Sequence, residues 1–377
     1  MTASPPAPPS PPGSRPPGGP PAPPRFGPAP PAGPMTPEQK QLQAARKALD
    51  QVLQLARAAE PHLFGKEARD WFEKLDMAHQ SAVLSLQFAL DQDLPRGLAL
   101  SALLWRFWVV HGHIPEVRPL VDQLIERAAA AGAPPEARLP ASVSSAFMAY
   151  FAGDDARAEQ LAAEYLPVAQ KRPDPMRESL LQLLLGWGLE ARADYPQAKQ
   201  HLEASLAGFR KLDHAWGVAV SLMALGELAR IEDDFDTARK LFDEDFRVYQ
   251  KLGDHQGMAV TLINLGFVSL HNDDLDDARG RFMGGMQILR NLGSEQFVAA
   301  ALFGMACLKL AEAAFVPCAR LLGAAQAMLD HVGGKLEPAE RLLWDKVKAA
   351  VMDRLGEPMV KQSMEEGRKI PPDRLVQ

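Results

Sequence analysis

Alanine recurs at a step of 40 residues: Ala158, Ala198, Ala238 and Ala278. Leu185-Gly186, Leu225-Gly226 and Leu265-Gly266 keep the same step, and so do Tyr195, Phe235 and Leu275. A repeat of this length is one supersecondary unit that cannot bury its apolar face alone. Stacked copies share a continuous core, which predicts a solenoid rather than a globule built round one active site.

The repeat is helical. No stretch alternates β-branched and polar residues, so no sheet is expected. Thr36-Pro37-Glu38 reads as a helix start, with a capping hydroxyl, a first-turn proline and an acid at the positive helix end. Leu42, Ala45, Leu49, Val52, Leu53 and Ala56 follow at helical spacing. Glu67 to Leu90 reads as one long helix or two short ones. Helix pairs then turn at 112–115, 152–154, 193–194, 233–234 and 273–274, and a degenerate pair begins at Phe297. The expected fold is an all-α, right-handed solenoid of about five helix pairs with helical caps.

Within each unit the periodic residues have mechanical roles. Gly226 and Gly266 remove a side chain where the first helix of a pair (helix A) must approach the second (helix B). Phe242 and Leu202 fill the seam. Lys251-Leu252-Gly253-Asp254 closes a helix with a basic last turn and a glycine suited to positive φ.

Residues 1–35 are almost entirely Pro, Ala, Gly and Ser, with about half of the chain's 33 prolines. Such a segment is expected to be a disordered spacer with polyproline II bias. The organisation expected is a proline-rich tail over 1–35, an N-terminal helical cap over 36–96, the array over 97–336 and capping helices over 337–377.

Bulk chemistry narrows the function classes. The 377 residues carry a net charge of −6 with no dense Lys/Arg run, which argues against a nucleic-acid or anionic-membrane partner. The longest apolar runs fall short of a bilayer span, and one is broken by Arg106. Two cysteines, Cys307 and Cys318, read as buried apolar residues of a reduced, cytoplasmic protein. No secretory leader pattern is visible.

Catalytic signals are weak, and the expectation is no enzyme, no cofactor and no metal. Gly65-Lys66 and Gly334-Lys335 lack the rest of a phosphate-binding loop. Glu232-Asp233-Asp234 and Asp273-Asp274 lack the glycine and bidentate acid of an EF-hand, and read as solvated turns and helix caps. His111 and His113 flank Gly112 with no third ligand nearby in sequence, too little for zinc. His201, His214, His255 and His271 read as exposed residues at repeat ends.

The informative surface is the inner face lined by helix A. Counting from the Leu-Gly pairs, it should expose Trp187, Glu190, Met223, Glu227, Arg230, Ile263, Phe267 and Phe303. Apolar anchors with a few charges suit a helix or peptide partner. Asp245 departs from the small residues Ser205 and Gly285 at equivalent positions. It is expected to face partly open space, or to pair with an arginine such as Arg239 or Arg247.

A leucine-glycine pair in helix A, an aromatic at the turn, alanine three residues on and an aromatic four further make the tetratricopeptide pattern, here stretched from about 34 residues. With "Lys-Leu-Gly-Asp" closing one repeat and "Gly-Met-Ala-Val" opening the next, the array resembles the C-terminal arrays of bacterial signal-transduction ATPase (LuxR/MalT-like) regulators. Trp71-Phe72-Glu73-Lys74-Leu75, Trp105-Arg106-Phe107-Trp108 and Arg320-Leu321-Leu322-Gly323 also resemble segments of those proteins. The ATPase and DNA-reading motifs are not in this chain. The resemblance therefore implies the interaction part alone: a non-catalytic scaffold binding a protein or peptide in signalling or transcription regulation. The alternatives are an effector-sensing module acting on a separately encoded ATPase or transcription factor, and a structural spacer.

Overall fold

In the regular repeats each helix begins at a side-chain cap, and those caps recur at the repeat step. A computed structural model describes residues 35–171, 173–292, 295–332, 336 and 338–371. The proline-rich segment 1–34 lies outside them. The chain divides into two units at Ala44/Ala45, within the first helix.

In the first unit, the expected helix start is present. The Gln39 backbone N–H donates to Thr36 Oγ1 at 3.2 Å, and Gln39 Oε1 accepts from the Thr36 N–H at 3.0 Å. This reciprocal pair satisfies two donors that a helix end leaves free.

The second unit is all helix among the described residues, with no strand. Helix α1 (Pro37–Ala59) runs into it from the first unit, and a 3-10 turn at Glu60–His62 leads to α2 (Ala68–Gln92). Six antiparallel pairs follow: α3 (Leu94–Val110) with α4 (Ile114–Ala130), α5 (Pro135–Phe151) with α6 (Asp155–Lys171), and α7 (Pro175–Ala191) with α8 (Tyr195–Lys211). Next come α9 (Ala215–Ile231) with α10 (Phe235–Leu252), α11 (His255–His271) with α12 (Leu275–Asn291), and α13 (Glu295–Ala311) with α14 (Phe315–Val332). The last elements are α15 (Pro338–Leu355) and α16 (Glu357–Lys369). The six pairs are the five regular ones and the degenerate one read from the sequence. No helix among the described residues is long and apolar enough to cross a membrane.

The step shows in the caps. Asp194, Asp234 and Asp274 each accept a backbone N–H three residues on, from Gln197, Thr237 and Asp277. Just before them, Ala193, Asp233 and Asp273 all take positive φ, near 60°. The acidic turns are thus caps and turn residues, as expected. Gly253 ends α10 at φ 70°.

Close approach within a pair is equally periodic. A Cβ on Gly226 would stand 2.5 Å from Phe242 Cε1, and one on Gly266 would stand 2.6 Å from Phe282 Cε1. Both rings are fully buried. The glycine admits the ring, and the ring fills the seam, so the pair of residues fixes the helix separation.

The same step carries a polar contact between repeats. Ser205 Oγ lies 3.1 Å from Ser221 Oγ, both buried. At the corresponding positions of the next repeat, Thr261 Oγ1 donates to Asp245 Oδ2 at 2.7 Å. Asp245 is therefore buried and not in open space as expected, and its partner is a threonine and not Arg239 or Arg247. It replaces the serine of a hydroxyl pair that the repeat already buried. Its Oδ1 has no hydrogen-bond partner. Burial drives the carboxyl well above its ordinary range; the Thr261 hydroxyl opposes this, and Asp254 and Glu244 add to it.

Candidate inner-face binding surface

Helix A positions of α7, α9, α11 and α13 hold the eight residues expected on the inner face. Trp187, Met223 and Glu227 are half-buried. Glu190, Arg230, Ile263, Phe267 and Phe303 are buried. This differs from the exposure expected for all eight, and α15 supplies much of the reason. Trp344 on α15 lies 5.1 Å from the Phe303 ring, between ring centroids. Glu340, one turn earlier, pairs with Arg230 Nη2 at 2.5 Å. The Arg230 guanidinium also lies over the Phe267 ring at 4.6 Å. A terminal helix thus covers this end of the surface, with Val347 and Val351 joining the same core.

Where α15 meets the ends of α9 and α11 there is a cavity of about 280 Å³, lined by Arg230, Phe235, Phe267, His271, Leu343 and Lys346. The Phe235 and His271 rings stack at 3.5 Å.

The N-terminal side is also filled. Phe64, from the link between α1 and α2, lies 4.8 Å from Trp216 and 6.0 Å from Trp105. The Arg106 guanidinium sits over both Phe64 and Trp216, at 5.5 and 5.1 Å. Burial pulls Arg106 below its ordinary value, against the opposing pull of Asp254 and Tyr249. His214 is part of this packing. Its ring meets Phe64 edge-on, its Nδ1 accepts the Gly217 N–H, and burial lowers its pKa. It is therefore not a plainly exposed repeat-end residue, as the sequence suggested.

On α5 and α7 the surface keeps an aromatic cluster. Tyr150 and Trp187 stack at 4.7 Å, and Phe147 meets Trp187 edge-on. Phe151, beside them, is exposed. On the next helices Met223 stays half-buried, and Glu227 accepts a hydrogen bond from Asn264 Nδ2 at 3.2 Å. Tyr150 and Phe151 were missed in the sequence because helix A of the first repeats lacks the Leu-Gly marker used for counting. Glu340 and Trp344 were missed because nothing local ties α15 to α9. Arg106 had a visible signal, a charge inside an apolar run.

No family model and no curated protein sequence matches the chain. Solved structures do match in fold. A Rap protein complexed with competence and sporulation factor superposes with TM-score 0.52 at 13% identity, over 86% of this chain and 99% of that one. NprR in complex with its cognate peptide NprX gives 0.51 at 14%, over 79% and 88%. The apo form of the quorum sensor NprR from B. thuringiensis gives 0.50 at 12%, over 89% and 98%. The fold is tetratricopeptide-like. The stacked pairs, the glycine-aromatic seams and the 40-residue caps are how this sequence makes it.

Proposed function

We propose that the chain is a non-catalytic tetratricopeptide-like scaffold that binds a peptide or protein segment on the partly exposed part of its inner face, around Trp187, Met223 and Glu227. The observation that carries this reading is the contrast in burial. Phe64 and α15 each fill part of the face, while Trp187, Met223 and Glu227 keep partial exposure and Phe151 beside Trp187 is exposed. Such a surface supplies apolar anchors and a charge to set register. Two structures of similar fold were solved with a peptide or factor bound, and the sequence resembles the arrays of signal-transduction ATPase regulators. Both support a place in bacterial signalling or transcription regulation, within the cytoplasm.

The test is a peptide display selection on the full chain, followed by binding to a Trp187→Ala, Met223→Ala double variant. Selected peptides should lose affinity for the variant while its helicity and melting stay near wild type. Equal affinity for both proteins would overturn the reading.

The cavity beside α15 favours a second reading, an effector sensor whose small ligand sits against Phe267 and His271. A thermal-shift screen with metabolites separates the two. A hit abolished by His271→Ala and unaffected by the Trp187 variant supports the sensor.

A further inference from the structure

The turn between α3 and α4 packs against α2 and gathers three histidines and two carboxylates. Asp76 and His79 lie three residues apart, on one face of α2. Gly112 takes φ 73°, a left-handed conformation that turns the chain tightly between His111 and His113. His113 caps α4 by position, with no capping hydrogen bond from its side chain, and Glu116 follows in the first turn. His111 Nδ1 lies 3.6 Å from Asp76 Oδ1, and His113 Nε2 lies 3.2 Å from the same oxygen. On the far side, His79 Nε2 is 2.8 Å from Glu116 Oε2.

We propose that Asp76, His111 and His113 form a binding site for one divalent ion of the zinc class, with His79 and Glu116 as its supporting shell. Two imidazoles and a carboxylate are the ligand chemistry such ions take. Bonds of about 2.0–2.1 Å at tetrahedral angles place ligand atoms roughly 3.4 Å apart. The two separations involving Asp76 are 3.2 and 3.6 Å, and the three ligand atoms lie within 4.8 Å of one another. Ring rotation would close the remaining separation between the two histidines, and water would complete the coordination.

His79, His113 and Glu116 form a second group within 4.8 Å, but its geometry is poorer. The His79 and His113 rings stack at 3.6 Å with 12° between planes. Face to face at that distance, their in-plane lone pairs do not converge on one point, whereas His111 and His113, also near-parallel at 21°, are offset with centroids 6.2 Å apart, so that a ring tilt lets their edges meet one ion. His79 instead holds the face of His113 and is itself held by Glu116, the kind of outer contact that orients a metal ligand.

The floor of the site is apolar. The Phe107 ring, fully buried, lies 5.0 Å from His111, 5.3 Å from His113 and 6.0 Å from His79. Phe72 meets His111 edge-on at 5.2 Å. The ligands are partly exposed on the other side, which gives an ion its entry path. Bound there, the ion would tie α2 to the first turn of the array.

The test uses the full chain, stripped with a chelator and titrated with zinc sulfate, with magnesium chloride as counter-probe and cobalt(II) as a spectroscopic stand-in. One equivalent of zinc should bind saturably and raise the melting temperature, and cobalt should develop the intense visible bands of a four-coordinate site. Magnesium should do neither. His113→Ala should abolish binding. Asp76→Asn, a near-isosteric change at a half-exposed residue that leaves the fold intact, should weaken it roughly tenfold or more, and His79→Ala by about tenfold. His255→Ala, an exposed histidine elsewhere, should change nothing. No saturable zinc binding to the wild type, or binding that survives both Asp76→Asn and His113→Ala unchanged, would overturn the assignment.

Discussion

Arg230 on α9 and Glu340 on α15, 110 positions apart in sequence, form a buried ion pair at 2.5 Å. Removing one partner leaves the other charge desolvated and alone. Glu340→Ala should therefore cost about 3–5 kcal/mol, read by chemical denaturation. An Arg230→Met, Glu340→Leu double variant should recover much of that loss, because an apolar pair of similar volume carries no desolvation cost. A Glu340→Ala loss well below that range would mean that α15 is held by Trp344 and its apolar neighbours alone, and a large loss that the double variant does not recover would mean that the ion pair contributes more than an apolar pair can replace.

Asp245 makes stability depend on pH in an unusual direction. The Thr261 hydroxyl has one proton but two acceptors in reach, Asp245 Oδ2 at 2.7 Å and the Gly257 carbonyl at 2.8 Å. A protonated Asp245 resolves this by donating to Thr261 Oγ1, which then donates to Gly257. Because the folded carboxyl lies above its unfolded value, the folded state binds the proton more tightly. Its contribution to stability is thus full below the ordinary value of 3.8 and is lost as pH rises through the raised one. Asp245→Asn should flatten that part of the stability–pH curve. At neutral pH it should gain about 1 kcal/mol or more, since an amide donates without a charge to bury.

The glycine-aromatic seams predict the cost of a methyl group. Gly226→Ala or Gly266→Ala puts a Cβ 2.5 or 2.6 Å from a phenylalanine ring that is packed on all sides. Each should lower stability by about 1–3 kcal/mol, seen as a lower melting temperature with helicity retained.

Burial pushes the Cys307 thiol far up and Cys318 to about 12. Neither forms thiolate in the native protein at mildly alkaline pH. Ellman's reagent should therefore react with neither thiol until denaturant is added, and with both afterwards. Prompt labelling of the native protein would show local opening at α13 or α14.

The parts of the fold that could be read from sequence are those whose cause lies within one repeat. The spacing of Asp194, Asp234 and Asp274 announced the caps, and Gly226 with Phe242 announced the seam. Contacts that join distant repeats left no such mark. Glu340 has no local feature to distinguish it from a solvated first-turn acid, and only the packing of α15 shows that it meets Arg230. Asp245 misled for an energetic reason. A lone buried carboxylate is costly, so exposure was the sound expectation, but the serine pair at the same step in the preceding repeat had already marked that seam as polar. His111 and His113 were legible as a pair, while Asp76 and His79 belong to another helix and reach them only through tertiary packing.

The covering of the inner face by α15 has a thermodynamic corollary. A tethered helix competes with any external one at an effective concentration on the order of millimolar. A ligand aimed at the Arg230 end must therefore displace a resident that never diffuses away. Its apparent affinity is scaled down by the small fraction of molecules in which that resident has let go. Selectivity at that end is then set by the chain's own sequence: only a helix that pairs with Arg230 and fills the place of Trp344 better than α15 does will enter.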